Sequence, residues 1–238
     1  MPADIVFRSD SSVELVNSMA SDYQVTDAAR ISTAAWHGMT GPHDAAKDAG
    51  LIGYLMKNRH GTPFEHNAFT FRVECPIFVA REFFRHRMTS FNEESARYKQ
   101  LDAVFWVPAP SRGLKQEGKP GHYIMKPGTM EQYKLACAEL REAATVEYRR
   151  YERLLDAGIC REVARACLNV SVYTSFYATM NARALMNFLS LRIDDPDNAY
   201  VTKPQYEIES VALQMEDFFF RKMPLTYSAW KENGRVAP

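Results

Sequence analysis

The sequence predicts an α+β fold in which several helices pack with a small, mainly antiparallel sheet. The first observation is apolar residues at helical spacing, clearest in residues 130–158. The second is residues 67–75 (NAFTFRVEC), where apolar and polar residues alternate as in a half-buried strand. With 238 residues, 46% of them hydrophobic, the chain can bury a sizeable core. We therefore expect a single domain spanning residues 1–238.

The first half of the chain begins with a short predicted strand at residues 3–7. Residues 21–32 suggest a helix or turn, and residues 43–61 suggest a helix that Gly61 can end. After the strand at 67–75, Pro76 suits the first turn of a helix. We expect that helix to span residues 76–87.

The second half is predicted to be mostly helical. Residues 103–110 suggest a strand, and residues 111–129, rich in Gly, Pro and Lys, suggest a mobile loop. Gly158 is expected to end the long helix that starts at residue 130. The remaining predicted elements are helices at 161–180, 181–192 and 205–223, with a loop at 194–204.

Composition limits the possible functions. Lys+Arg and Asp+Glu both number 29, and this zero net charge argues against a general nucleic-acid binder. The four cysteines form no CxxC pair and are typical of reduced thiols, which predicts a cytoplasmic protein. We find neither a signal peptide nor an apolar run of membrane-spanning length, so no membrane association is expected.

The segment 85–98 (RHRMTSFNEESARY) concentrates polar groups behind an apolar stretch. If residues 93–97 run extended, Glu93, Ser95 and Arg97 face the same side. Arginine presents a planar fork of donors that suits phosphate. A solvated turn in which Arg pairs with Glu explains the same pattern, and spacing alone favours neither. The candidate phosphate ligands are Arg85, His86, Arg87, Ser95 and Arg97.

Two further segments carry candidate chemistry. In residues 60–66 (HGTPFEH) two histidines and Glu65 suggest a metal site, but Pro63 interrupts the helix that would align them. There is no HExxH motif, so we expect no metal. Residues 181–192 place polar groups among apolar ones, and Arg165 has a similar setting in the preceding predicted helix. The polar groups are Asn181, Arg183, Asn187 and Arg192. The arginines could form internal salt bridges to Asp194 or Asp195, or the whole set could form an anion or heterocycle site.

The segment 85–98 resembles the signature RHRxxSxNExSxRY of the flavin-dependent thymidylate synthases, and it matches every fixed position. Five other segments resemble the same family in the same order. They are AARIS (28–32), HGTPFEH (60–66), FVAREFFRHR (78–87), REVAR (161–165) and NARALMNFLSLR (181–192). The common dinucleotide, P-loop and nucleophile-elbow motifs are absent from the sequence.

The resemblance implies reductive methylation of dUMP to dTMP. Methylenetetrahydrofolate would give the carbon, and NADPH would give the electrons through FAD, without a cysteine nucleophile. It also implies a homotetramer with active sites at subunit interfaces, in which no single chain surrounds both ligands.

The family's site residues can be assigned to this chain at the positions where its sequence matches the family's motifs. Arg192 is expected beside the pyrimidine ring, where a fixed cation stabilises negative charge, and it is the predicted catalytic residue. The implied flavin contacts are Ser32, His60, Thr62, Arg85, His86, Arg87, Glu93, Asn181, Arg183 and Asn187. The implied nucleotide contacts are Glu82, Arg85, Glu93, Ser95, Arg97, Arg165 and Arg192.

Glu82 departs from the family pattern, since many relatives have glutamine at this position near the nucleotide. A carboxylate lacks the amide donor and adds negative charge near a phosphate ester. We expect weaker nucleotide binding than in a Glu82→Gln variant, unless a neighbour such as Arg81 compensates. The loop at 194–204 is also longer than in many relatives, so the folate side is expected to differ.

Two other functional classes compete with the enzyme. A single-stranded nucleic-acid or nucleotide-binding module would use the arginines of segment 85–98 with Phe91 and Tyr98 as stacking faces. A non-catalytic helical assembly protein would place the same arginines in interface salt bridges. Agreement at several separate segments favours the enzyme.

Overall fold

The structure is a computed structural model that describes residues 3–33 and 43–238. These residues form eight helices and eight strands. The helices are α1 (Asp22–Arg30), α2 (Ala45–Lys57), α3 (Ile77–Phe83), α4 (Met130–Asp156), α5 (Arg161–Ala164), α6 (Ala182–Arg192), α7 (Tyr206–Lys222) and α8 (Pro224–Glu232). The strands are β1 (Val6–Arg8), β2 (Ser12–Met19), β3 (Ala68–Pro76), β4 (Ser90–Glu93), β5 (Val104–Trp106), β6 (Lys115–Glu117), β7 (Ile124–Lys126) and β8 (Tyr173–Met180).

The principal sheet has four strands in the order β2-β3-β8-β4. Thr70 Oγ1 lies 3.0 Å from Thr179 Oγ1, and the Ile77 amide donates to the Val172 carbonyl at 3.0 Å. As the chain advances along β3 its partners run backwards, so β3 and β8 are antiparallel. Two smaller pairs are β1-β5, which is parallel, and the antiparallel hairpin β6-β7. The predicted α+β class is confirmed.

The chain divides into two compact units. Unit 1 holds the described residues of Met1–Ser12, Val73–Arg85 and Asn92–Phe176, and unit 2 holds those of Val13–Arg72, His86–Phe91 and Tyr177–Pro238. Strands β3 and β8 contribute residues to both units. The single-domain organisation stays a prediction.

The core of unit 1 forms where α4 packs on the strand β5. Phe105, Tyr148 and Tyr151 are almost fully buried, and the Tyr148 hydroxyl donates to the Leu101 carbonyl at 2.9 Å. Without this bond the buried hydroxyl would have no hydrogen-bond partner, which would cost about 1–3 kcal/mol of stability. A capping box between Thr129 and Gln132 starts α4.

The core of unit 2 lies among the helices α2, α6, α7 and α8. Trp230 and Phe219 are fully buried, and their rings meet at 6.0 Å between centroids. Arg235 is buried as well, and its Nη1 pairs with Glu216 at 2.6 Å and with Asp195 at 3.1 Å. A buried charge requires such partners, so this network fixes the chain after α8.

Several predicted elements are wrong. Residues 161–180 form α5, a short 3-10 turn and then β8, not one helix. Residues 173–180 alternate in burial and are rich in aromatic and β-branched side chains, which favour a strand. The expected loop at 111–129 contains the hairpin β6-β7. The sequence reasoning also missed β2 and α8.

Segment 93–97 also differs from expectation, because it is not extended. Strand β4 ends at Glu93 and a turn follows, in which the amide of Tyr98 donates to the Ser95 carbonyl at 3.0 Å. The Ser95 hydroxyl accepts from the Arg97 amide at 3.3 Å, which stabilises the turn locally. Because residues 93–97 are not extended, strand alternation does not place Glu93, Ser95 and Arg97 on one side.

Candidate functional site

The large cavity in unit 2 has a volume of about 790 Å³. It lies where α1 ends, where α2 ends and along the loop that follows α2. Ser32, His60 and Thr62, three of the predicted flavin contacts, line it together with Arg30 and Arg59. Residues from two distant parts of the sequence thus meet in one concavity.

The loop after α2 is shaped by its backbone. Arg59 has a positive φ of 60°, and the His60 amide donates to the Leu55 carbonyl at 2.9 Å, which closes the helix end. Gly61 is required by close packing, because a Cβ there would lie 2.6 Å from the Arg183 guanidinium carbon and 2.9 Å from the Pro238 carbonyl oxygen. The 3-10 turn Thr62–Glu65 follows.

Arg183 is held by this same loop. Its Nη1 donates to Glu65 at 2.6 Å, and its Nε donates to the Pro238 carbonyl at 2.6 Å. Glu65 thus serves as an ion-pair partner. Among residues 3–33 and 43–238, no group of three or more His, Cys, Asp or Glu side chains is placed to hold a metal ion.

The other polar residues of α6 have separate positions. Asn181 is the N-cap of α6, and its side-chain oxygen accepts from the Ala184 amide at 2.9 Å. Asn187 is exposed on the same helix. At the other end of the helix, the predicted salt-bridge partners are occupied elsewhere: Asp194 pairs with Lys203, and Asp195 with Arg235.

Arg192, the predicted catalytic residue, contacts His86. The Arg192 Nε donates to His86 Nε2 at 3.0 Å, and the His86 ring meets the Phe188 ring edge-on, with centroids 4.8 Å apart. Burial, and then the charge of Arg192, lower the pKa of His86 to about 4. His86 is therefore neutral near pH 7 and accepts through Nε2. Arg87, which follows it, is exposed.

The small cavity in unit 1 has a volume of about 130 Å³. Glu93, Arg165 and Thr174 line it, beside apolar side chains such as Leu168 and Val172. The Thr174 hydroxyl donates to Glu93 Oε1 at 2.7 Å. Thr174 is nearly fully buried, so this bond fixes the orientation of the Glu93 carboxylate.

Three arginines of unit 1, Arg85, Arg97 and Arg165, are less engaged than the arginines of α6. Arg85 and Arg165 are exposed, and their side chains make no hydrogen bond or ion pair to any residue the structure describes. Arg97 pairs with Glu162 at 3.3 Å, but both side chains are half exposed and such a pair is weak. Glu82 lies half-buried on α3. Arg85, Arg97 and Arg165 are therefore available to an anionic ligand.

The cysteines show no sign of activation. All four are free, and burial raises the pKa of the Cys75 thiol far above its usual range. No cysteine lines either cavity in the described parts of the chain.

Comparison with known proteins decides the family. The family described as thymidylate synthase complementing protein matches residues 14–225. A flavin-dependent thymidylate synthase of Tropheryma whipplei (strain TW08/27) is 48% identical over 235 residues, covering 99% of this chain and 98% of the relative. The chain belongs to the flavin-dependent thymidylate synthase family.

Other members of the family agree with this assignment. The flavin-dependent thymidylate synthase of Streptomyces coelicolor is 49% identical and covers all of this chain. Among solved structures, the UMP/dUMP methylase PolB from Streptomyces cacaoi, bound with 5-Br dUMP, is 52% identical with a TM-score of 0.93. That match covers 98% of this chain and 100% of the other. The predicted resemblance is confirmed, and with it the prediction of an enzyme.

The family is flavin-dependent, and the large cavity fits a flavin nucleotide. Its volume of about 790 Å³ lies within the range of about 300–1,000 Å³ typical of cofactor sites. Its lining offers the hydroxyls of Ser32 and Thr62 and the cation of Arg59. Gly61 keeps the backbone close to Arg183, where a Cβ would intrude.

Some candidate residues were missed by the sequence reasoning. Thr174 was placed on a helix, so its contact with Glu93 was not foreseen; the alternation in residues 173–180 could have revealed the strand. Arg30 and Arg59 also line the large cavity. Arg30 is part of the family-like segment AARIS but was given no role, and Arg59 lies just before the segment HGTPFEH. The flavin and nucleotide contacts themselves remain predictions.

Proposed function

We propose that this protein catalyses the reductive methylation of dUMP to dTMP, with methylenetetrahydrofolate as carbon donor and NADPH-reduced FAD as hydride source. The observation that carries the proposal is the pair of exposed cations, Arg85 and Arg165, which make no hydrogen bond or ion pair with any residue described, in the unit whose small cavity Glu93 and Thr174 line. An exposed arginine with no protein partner can bind a phosphate without first breaking a salt bridge.

The nucleotide half of the proposal assigns roles to residues of unit 1 and to Arg192. Arg85, Arg97 and Arg165 bind the phosphate, and the Ser95 hydroxyl adds a hydrogen bond. Glu93, oriented by Thr174, accepts from a hydroxyl or N–H of the nucleotide. Because the pyrimidine gains negative charge as it is activated, Arg192 stabilises it from the side of the ring.

The flavin half of the proposal assigns roles to unit 2. The bound flavin supplies the hydride, which removes the need for a cysteine nucleophile and for oxidation of the folate. Ser32, His60 and Thr62 hold the flavin nucleotide in the large cavity. Arg87, Arg183 and Asn187 complete its binding, with sites formed between subunits of a homotetramer. A cytoplasmic location, in keeping with the four free cysteines, is part of the proposal.

Product formation tests this function directly. Purified protein is incubated with FAD, NADPH, methylenetetrahydrofolate and dUMP, and dTMP is measured by chromatography. We expect dTMP to form only when all four are present. No dTMP in the complete mixture would contradict the proposal and favour a non-catalytic nucleotide or single-stranded nucleic-acid binding module.

The Arg192→Ala variant tests the proposed catalytic role. Since a fixed cation at the ring contributes mainly in the transition state, kcat should fall about 10²–10³-fold. Unchanged dTMP formation would be incompatible with the role.

A second candidate substrate is UMP. The similar protein PolB is described as a UMP/dUMP methylase, and its structure with 5-Br UMP superposes on this chain with a TM-score of 0.90 at 50% identity. Parallel assays with UMP and dUMP distinguish the two candidates. Methylation of UMP at a comparable kcat/KM would extend the substrate class to ribonucleotides.

A further inference from the structure

His86 and Arg192 form a contact between a loop and the end of a helix within unit 2. His86 follows α3 in the chain, and Arg192 is the last residue of α6. The Arg192 Nε donates to His86 Nε2 at 3.0 Å, within the usual range for such a bond. The contact joins residues 106 positions apart, so the fold itself creates it.

Phe188 holds the imidazole from the same helix. It lies four residues before Arg192, so both side chains are on one face of α6. Its ring is fully buried and meets the His86 ring at an interplanar angle of 73°. The imidazole is thus fixed by an aromatic contact and a hydrogen bond, both from α6.

The direction of the hydrogen bond determines the protonation state of His86. Arginine has donors and no acceptor, so Nε2 must carry a lone pair and the proton must be on Nδ1. Arg192 is the charged group that faces the ring from α6, and Arg85 and Arg87 flank His86 on its own segment. No carboxylate contacts the imidazole among the described residues, so nothing there favours the cationic form.

We propose that His86 is a positioning residue that fixes the guanidinium plane of Arg192 for the pyrimidine ring of the substrate. Nε belongs to the rigid plane of the guanidinium, so a bond through Nε sets the orientation of the whole group. This inference rests on the proposed function, which places Arg192 at the ring. It gives His86 a role in addition to the flavin contact implied by resemblance.

Two polar variants separate this role from general damage. In His86→Gln the amide oxygen can reach the former position of Nε2, whereas in His86→Asn the shorter side chain cannot. Both variants are neutral and smaller than histidine. We expect kcat in His86→Asn to be roughly tenfold lower than in His86→Gln, with the dUMP dissociation constant similar in the two. Equal kcat values would overturn the positioning role.

NMR on the flavin-free protein tests the contact without relying on activity. Histidine-labelled wild type, with His86→Gln to assign the signal, should show an imidazole that stays neutral, with the proton on Nδ1, down to about pH 5. An ordinary titration near the unperturbed value of about 6.5 would overturn the His86–Arg192 bond.

The two experiments keep the inference separate from the proposed function. If the wild type makes no dTMP but its His86 imidazole is neutral with the proton on Nδ1, the His86–Arg192 bond is confirmed and its role towards the substrate is wrong. If the wild type makes dTMP but His86 titrates at about pH 6.5, the proposed function stands and the positioning role of His86 is wrong.

Discussion

The arginines proposed to lie near the flavin in unit 2 and those proposed to bind the nucleotide phosphate in unit 1 are in different states. In unit 2, Arg183 is bound to Glu65 and to the Pro238 carbonyl, and Arg59, which lines the large cavity, donates to the Ala237 carbonyl at 2.7 Å. In unit 1, Arg85 and Arg165 are exposed and make no side-chain bond within the described chain.

This difference indicates different kinds of binding. A side chain already fixed by its own chain offers a preorganised surface, which suits a cofactor that stays bound through many turnovers. An exposed arginine with no partner among the described residues binds a phosphate without first breaking an ion pair, which suits a nucleotide that is exchanged in every turnover. The following predictions test this contrast.

The first prediction concerns the available cations of unit 1. Arg165→Ala should weaken dUMP binding by about 1.5–3 kcal/mol, roughly 10- to 150-fold, because a charge-assisted phosphate contact is lost. Calorimetric titration with dUMP measures this effect. Arg161→Ala is the matched control, since Arg161 is also exposed and lies on the adjacent helix α5. An equal loss of dUMP affinity in both variants would show that the weaker binding comes from the change in net charge alone.

The second prediction concerns the fixed loop of unit 2. Gly61→Ala introduces a Cβ 2.6 Å from the Arg183 guanidinium carbon and 2.9 Å from the Pro238 carbonyl oxygen, so the guanidinium and the backbone at Pro238 must shift to accommodate it. We expect a loss of about 1–3 kcal/mol in the free energy of unfolding, with weaker retention of flavin. Chemical denaturation measures the stability.

Gly53→Ala is the control for Gly61→Ala. A Cβ at Gly53 would meet nothing within 4 Å, and the residue is within α2. It should stabilise the protein by about 0.5–1 kcal/mol because alanine favours a helix. If Gly61→Ala also stabilised the protein, the close packing of this loop would be refuted.

The third prediction concerns the buried hydroxyl that orients Glu93. Thr174→Val keeps the shape of the side chain and removes the donor that is 2.7 Å from Glu93 Oε1. We expect dUMP binding to weaken by about 1 kcal/mol, or about fivefold. Thr174→Ser, which keeps the hydroxyl, should bind dUMP more tightly than Thr174→Val. The opposite order would refute the orienting role.

The fourth prediction is a pH dependence of stability. His86 has a folded pKa of about 4, below its ordinary value of about 6.5. Between these values the unfolded chain binds more protons, so stability is lost as the pH falls from about 6.5 to about 4. Allowing for partial exposure, the loss is about 1–2 kcal/mol. Denaturation of the His86→Gln variant across the same pH range should lack this component, and parallel curves for the two proteins would contradict it.

Secondary structure was predictable from the sequence where the spacing of apolar residues fitted a helix or a strand but not both. Residues 130–158 repeat apolar positions with a helical period over many turns, and α4 fills almost all of that range. Residues 67–75 alternate, and β3 matches them within one residue. Residues 161–180 are largely apolar as a whole, and the short alternation within 173–180 was overlooked, so β8 was predicted as part of a helix. In the sheet, β8 pairs with β3 and β4.

The candidate site was less predictable than the fold because partner choice depends on distant residues. Spacing offered Asp194 and Asp195 as partners for the cations of 181–192, yet Arg183 pairs with Glu65, which is 118 positions away. Spacing also suggested that Glu93, Ser95 and Arg97 share a side if residues 93–97 are extended, but a turn follows β4 instead. Motif resemblance named residues such as Ser32, His60 and Thr62, and the fold gathers these three in one cavity.

The most direct test of the account is the visible absorption spectrum of the protein after loading with FAD and desalting, recorded with and without dUMP. Hydride transfer requires the two ligands to be in contact, so a nucleotide bound beside the flavin must change its surroundings. We predict that the flavin bands are retained and shift when dUMP is added. A colourless protein after desalting, or flavin bands that do not change at saturating dUMP, would contradict the proposal that flavin and dUMP bind side by side.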